Sequence, residues 1–296
     1  MPSQLQPIFN NTILATSIIN YFLFLSTGSR QPPPKHTHTM PSGFRKLFRR
    51  KKQPPLVCAV QLDMDHDPNH EHTAACFIDF EPLAIVELFQ SQGCQSCPPA
   101  TPGILEGANS PNLELLSYNV TLFDRLGWKD IYASPQWDTR QRAYIRKWGR
   151  NSLYTPMVVV NGVADGSGAG SKEGVATIVS QARSKQKAEM DWHIYVDAND
   201  TDVRIDSDKQ EIEAHDILVV VYDAKSEKVK VGKGPNKGKK MEHRNVVKEI
   251  MKIGEWTGGT IVVPLPSSRS SMSPGLGAVV MLQAGQGGPI VASAKL

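Results

Sequence analysis

The chain has 296 residues, 40% of them hydrophobic and 21% charged, with a formal net charge of +4 at pH 7. That length holds one or two domains, and the balance excludes fibrous and wholly disordered classes. Four cysteines, Cys58, Cys76, Cys94 and Cys97, are too few for a disulfide-stapled secreted scaffold of this size.

Residues 1–62 contain no Asp or Glu but carry Arg30, Lys35, Arg45, Lys46, Arg49, Arg50, Lys51 and Lys52. Broken by prolines and lacking periodicity, residues 1 to about 55 read as a disordered basic leader. No aromatic platform or nucleic-acid fold motif accompanies it, so nucleic acid is not expected as a partner. Its apolar run, residues 13–25, falls short of the roughly 20 residues that cross a bilayer, and no transmembrane span is expected. The first twelve residues lack Lys and Arg, which argues against a secretory signal, and the sequons at Asn10, Asn119 and Asn199 matter only in that pathway. The expected compartment is the cytoplasm; the acid-free basic leader makes the mitochondrion the alternative.

Residues 56–81 place a run containing His66, His70 and His72 between two short apolar stretches and read as a loop or insertion. Those histidines with Cys58 or Cys76 match no standard zinc spacing, so neither a metal nor a cofactor is expected.

From residue 82 the signals sharpen. Leu83-Ala84-Ile85-Val86-Glu87-Leu88-Phe89 is a nearly continuous apolar run of strand length. Gly93, Cys94-Gln95-Ser96-Cys97 and Pro98-Pro99 follow, then a short helix ending near Gly107 and a second strand over 113–118. Strand, helix, strand favours parallel pairing through a right-handed crossover. Ser134 and Pro135 start a helix that Gly149 stops; Trp137, Tyr144, Ile145 and Trp148 form its packing stripe, leaving Arg140, Arg142 and Lys147 in water. Residues 157–160 form a strand leading into the Asn161-Gly162 turn, and Ser171 caps a helix burying Val175, Ile178, Val179 and Ala182.

Beyond residue 189 short alternating segments recur at 193–196, 217–222, 260–265, 278–282 and 290–294 without intervening helices, as in an antiparallel sandwich. The Lys/Gly-rich stretch 232–240 lacks Walker A spacing and reads as a solvated hairpin loop. The expected division is a leader and insertion over 1–81, an α/β domain over 82–188 and a β-sandwich-like domain over 189–296.

Two cysteines separated by two residues at a strand-to-helix junction suit thiol–disulfide exchange: a helix N-terminus stabilises a thiolate on Cys94, and Cys97 resolves the mixed disulfide. Pro98 disfavours helical geometry at Cys97, which could move the helix start away from Cys94. Thr155-Pro156, just before a strand, is a candidate cis proline that offers a backbone edge to substrate, and Trp128 is a candidate for the rim.

The string Val86-Glu87-Leu88-Phe89-Gln90-Ser91-Gln92-Gly93-Cys94-Gln95-Ser96-Cys97-Pro98-Pro99-Ala100 resembles the signature of an uncharacterised thioredoxin-like family, domain of unknown function 1223. Leu126-Gly127-Trp128-Lys129-Asp130, Arg140-Gln141-Arg142-Ala143-Tyr144 and Tyr154-Thr155-Pro156-Met157 resemble the same family in the same order, and the likeness covers about residues 82–296. It implies a thioredoxin-like fold, redox-capable Cys94 and Cys97 and a cis Pro156, and it names no substrate. Where such proteins commonly read His-Val-Asp-Tyr-Trp-Asp, this chain has Asn119-Val120-Thr121-Leu122-Phe123-Asp124. The expected activity is thiol–disulfide exchange on a protein or small-molecule thiol or disulfide. A thioredoxin-like binding module or redox sensor is the alternative. Neither reading sets the oligomeric state.

Overall fold

A computed structural model of the chain describes residues 81–296. The leader, Cys58, Cys76, His66, His70 and His72, and the expectations attached to them, lie outside the described residues. Eleven strands and three α-helices follow in order: β1 (Ala84–Gln90), α1 (Cys97–Gly107), β2 (Leu113–Asn119), α2 (Pro135–Lys147), β3 (Met157–Val160), β4 (Ala164–Gly166), α3 (Lys172–Glu189), β5 (Ile194–Ala198), β6 (Asp202–Ser207), β7 (His215–Lys230), β8 (Lys240–Trp256), β9 (Ile261–Pro264), β10 (Leu276–Gln283) and β11 (Ile290–Lys295).

The result is a mixed α/β fold with a large sheet and few helices. The sheet has eight strands in the order β11-β10-β7-β8-β2-β1-β3-β4. As the strand, helix, strand order requires, β1 and β2 run parallel, Ala84 opposite Leu113 and Gln90 opposite Asn119. β1 and β3 are antiparallel, and Asn161-Gly162 turns the chain from β3 into β4. The expected division at 188/189 is not a division of the sheet: β8 joins β2 in parallel at Ser117 and Val246, and β7, β10 and β11 extend from there. Ser117 Oγ donates to Arg244 O at 2.7 Å and Asn245 Nδ2 to Leu115 O at 2.9 Å, so side chains supplement the short backbone ladder.

Strand alternation sorts the core into layers. On one face, Ile85 and Phe89 of β1 with Leu218, Val220, Val279 and Met281 pack under Trp137, Tyr144 and Ile145 of α2. On the other, Ala84, Val86 and Leu88 meet Ile104, Leu105, Val175, Ile178 and Ala182 of α1 and α3. That same second face is covered farther along by a three-stranded antiparallel sheet, β5-β6-β9, whose Val196, Val203 and Ile205 pack on Ile217, Val219, Val280 and Leu282. The C-terminal strands thus form a sandwich with the small sheet while completing the first sheet.

The start of α2 matches its sequence signals: Ser134 Oγ accepts from Gln136 N at 3.4 Å, with Pro135 in the first turn. Arg140 corrects the expected polar face. Its side chain is only 11% exposed, and its Nε donates to Glu87 Oε1 at 2.5 Å inside the core. Among the described residues no helix is long and apolar enough to cross a membrane.

Candidate functional site

Cys94 lies in the tight connection between β1 and α1. Its N donates to Ser91 O at 3.2 Å, and Cys97 N donates to Cys94 O at 3.3 Å. The helix begins at Cys97, with Ser96 as its N-cap and Pro98 in the first turn, where a missing N–H costs nothing. Pro98 therefore does not displace the helix start, and Cys94 sits three residues before it. Buried Asp130 anchors the loop: its Oδ2 accepts from Gln92 N at 2.7 Å and from Asn119 Nδ2 at 2.8 Å, and its Oδ1 from Tyr132 N at 2.9 Å. Gly93 is needed because a Cβ there would lie 2.9 Å from the Phe123 Cβ.

Both cysteines are free thiols, Cys94 4% exposed and Cys97 fully buried. Cys94 Sγ lies 3.5 Å from Thr155 O, and the Thr155-Pro156 peptide is cis. The sequence-derived residues Cys94, Cys97, Thr155 and Pro156 thus meet in one place. The Cys97 thiol, hydrogen-bonded to the Cys94 sulfur, is the main cause that lowers the Cys94 pKa to about 5 against the opposing effect of burial. The Thr155 hydroxyl, buried and with no other partner among the described residues, adds to this, as do backbone groups of Ser96 and Cys97. Burial, and then the neighbouring Cys94, push Cys97 well above the ordinary thiol range. Ser96, Pro99, Ala100, Pro156, Ser167 and Gly170 line a shallow depression of about 320 Å³.

The other side of the site comes from a distant part of the chain. β10 pairs with β7 only at residues 216–223, so the rest of the β7–β8 hairpin projects as a two-stranded arm. Its tip, expected to be solvated, is clamped onto the Cys94 loop. Asn236 is fully buried, and its Nδ2 donates to Gln92 O at 2.9 Å and to Cys94 O at 2.6 Å, while Lys239 Nζ donates to its Oδ1 at 3.0 Å. Met241 is buried against Cys94 and Cys97. Trp128 is half-buried between loop and arm; a Cβ on Gly232 would come within 2.6 Å of its ring.

His243, on β8, is enclosed. Its Nδ1 is 3.3 Å from the Gln90 amide nitrogen, its Nε2 is 3.2 Å from that of Gln92, and the Tyr132 ring packs edge-on with centroids 5.0 Å apart. Trp128 Nε1 donates to Gln92 Oε1 at 2.8 Å, and because an indole only donates, the Gln92 nitrogen must face His243. Nε2 is then the acceptor and Nδ1 carries the proton. Exchanging the two ends of the Gln90 amide gives that proton an acceptor, lets the Gln90 nitrogen donate to Thr101 Oγ1, and leaves the Thr101 hydroxyl donating to Cys97 O at 2.8 Å. One directed chain links Trp128 to the Cys97 carbonyl through a neutral ring. Burial also lowers the His243 pKa, to about 4.

Sequence reasoning missed Asn236, Met241 and His243. The alternation of buried Met241 and His243 with half-exposed Glu242 and Arg244 was the available signal for this part of β8. Among the described residues no three His, Cys, Asp or Glu side chains come together as a metal site. A larger groove, about 850 Å³, lies beside α3, β5 and β11 and includes Leu83, Met190 and Trp192; it shares no residue with the cysteine site.

Residues 85–283 match the family described as "Protein of unknown function (DUF1223)". A protein from Agrobacterium tumefaciens, AGR_C_4864, solved by X-ray crystallography, is similar at 30% identity and a TM-score of 0.56, over 73% of this chain and 95% of that one. HBP35 of Porphyromonas gingivalis is much more distant, at 10% identity and a TM-score of 0.43, over 73% of this chain and 75% of that one. No curated protein matches. Asn119 holds Asp130, and Thr121 binds the Asp138 carboxylate through its N and Oγ1.

Proposed function

We propose that this chain, which belongs to the DUF1223 family of proteins of unknown function, is a thiol–disulfide oxidoreductase with a thioredoxin-like site at Cys94 and Cys97. The observation that carries the reading is the division of labour within the pair: Cys94 beside the cis Thr155-Pro156 peptide with a lowered pKa, Cys97 buried behind it with a raised one. A thiolate is the attacking species, and a pKa near 5 keeps Cys94 ionised at neutral pH.

In the reducing direction the Cys94 thiolate attacks one sulfur of a substrate disulfide. The Cys94–substrate bond forms, the substrate S–S bond breaks, and the departing thiolate takes up a proton. Cys97 then loses its proton and attacks the Cys94 sulfur, so that a Cys94–Cys97 disulfide forms and the second substrate thiolate leaves. The substrate gains two electrons and the protein dithiol loses two. The depression bordered by Ser96 and Pro156 supports an extended substrate segment lying against the Thr155-Pro156 edge.

The 4% exposure of Cys94 favours a second reading, a binding module whose cysteine pair is structural or a redox sensor. One experiment separates the two: equilibration of the full chain in graded glutathione buffers, with thiol labelling and Cys94→Ser as control. The oxidoreductase reading expects a two-electron transition, Cys94 alkylation with half-maximal rate near pH 5, and catalysed reduction of a neutral probe, 2-hydroxyethyl disulfide. Labelling only after denaturation would overturn it and leave the binding module.

A further inference from the structure

Resting on that dithiol reading, we infer that the site selects disulfides carried on acidic polypeptide segments, recruited by the lysine-rich tip of the β7–β8 arm. Residues 229–241 contain Lys230, Lys233, Lys237, Lys239 and Lys240 and neither Asp nor Glu. All five lysines are exposed. They are not on a loose tether, because Asn236 between them is buried and bonded to the Gln92 and Cys94 carbonyls. Gly232 and Gly234 pack on Trp128 and Leu126, and the exposed Arg125 and Lys129 flank the same segment.

Basic side chains outnumber acidic ones on this edge, where half-exposed Asp124 stands beside Arg125. Among the described residues Arg125, Lys129, Lys233, Lys237 and Lys240 form no ion pair. Asp124 accepts from Asp130 N, and Asp130 is buried with both oxygens occupied. Glu227 and Glu242 lie farther down the arm, bonded to Tyr132 and to Ser226 and Lys228. The depression bordered by Ser96 and Pro156 is lined by uncharged residues. A predominantly basic rim beside a neutral trough concentrates anions near the cysteine loop, over a range of about 8–10 Å at ordinary ionic strength. A trough of this extent, bordered by Pro99 and Pro156, suits a polypeptide segment better than a lone anion.

The test is a single-turnover reaction of the reduced full chain with two peptides, each holding one disulfide and differing only in Glu or Lys residues flanking it. The Glu-flanked peptide is expected to react at least about tenfold faster at about 20 mM ionic strength, and the ratio to fall toward one near 0.5 M salt. Combining Lys233→Gln, Lys237→Gln and Lys240→Gln should reduce the ratio several-fold; Lys209→Gln, after β6, should not. If the triple variant does not fold, the salt dependence of the natural chain decides. Equal rates at low salt, or an unchanged ratio in a folded triple variant, overturn the inference and leave the dithiol reading intact. Failure to reduce either peptide and the neutral 2-hydroxyethyl disulfide overturns the reading beneath it.

Discussion

His243 is fully buried with both ring nitrogens committed, so protonation disrupts the chain that passes through it. Its folded pKa, about 4, lies below the ordinary 6.5. The contribution to stability is therefore complete above pH 6.5 and is lost as pH falls toward 4, because the unfolded chain binds a proton that the folded one refuses. Over that window the loss is on the order of 3 kcal/mol. Cys94 acts in the same direction higher up: its folded pKa is lowered, so its contribution is full above the ordinary thiol value and vanishes as pH falls through about 5. Denaturant midpoints measured from pH 7 to pH 4 in a Cys94→Ser background remove the thiol's contribution. His243→Gln should flatten the profile there, and an unchanged acid slope would refute the assignment.

At the scale of elements, the arm formed by β7 and β8 does more than extend from the sheet. One amide, Asn236, satisfies two carbonyls of the cysteine loop, and each buried acceptor left without a donor costs about 1–3 kcal/mol. Asn236→Ala should lower the melting temperature by several degrees, at about 2–4 °C per kcal/mol for a unit of this size. It should also speed trypsin cleavage after Lys233 and Lys237, since the tip opens locally without its anchor. A variant that melts lower but is cleaved no faster would place the loss outside the arm. Residues 232–240 read from sequence as a solvated turn because lysines and glycines dominate them; a single buried Asn among exposed neighbours leaves no periodic trace.

For the whole described unit, a buried ionic network joins strands of the two halves. Glu87 on β1 receives Arg140 Nε and the Tyr144 hydroxyl, while Arg140 Nη1 donates to Gln283 Oε1 on β10 at 3.2 Å. Arg140→Met strands a carboxylate that is fully buried, at a cost of about 3–5 kcal/mol. Arg140→Met combined with Glu87→Leu should recover much of that loss in denaturant melts, because removing both charges removes the desolvation problem. Residues 81–296 should unfold in one transition, and separate melting of the regions before and after residue 189 would contradict the shared sheet. The sequence by itself determined the local elements: apolar runs marked β1, β2 and β3, caps marked α2 and α3, and two cysteines at the start of a helix marked the candidate site. Those signals depend on neighbours a few residues apart, which periodicity and capping record. Only the tertiary structure decided that β8 joins β2, that Arg140 turns inward to Glu87, and that Asn236, Met241 and His243 close over Cys94. Those contacts link residues 53 to 153 positions apart, as in Glu87–Arg140 and Gln90–His243, and polar side chains become buried only where a partner from another strand satisfies them.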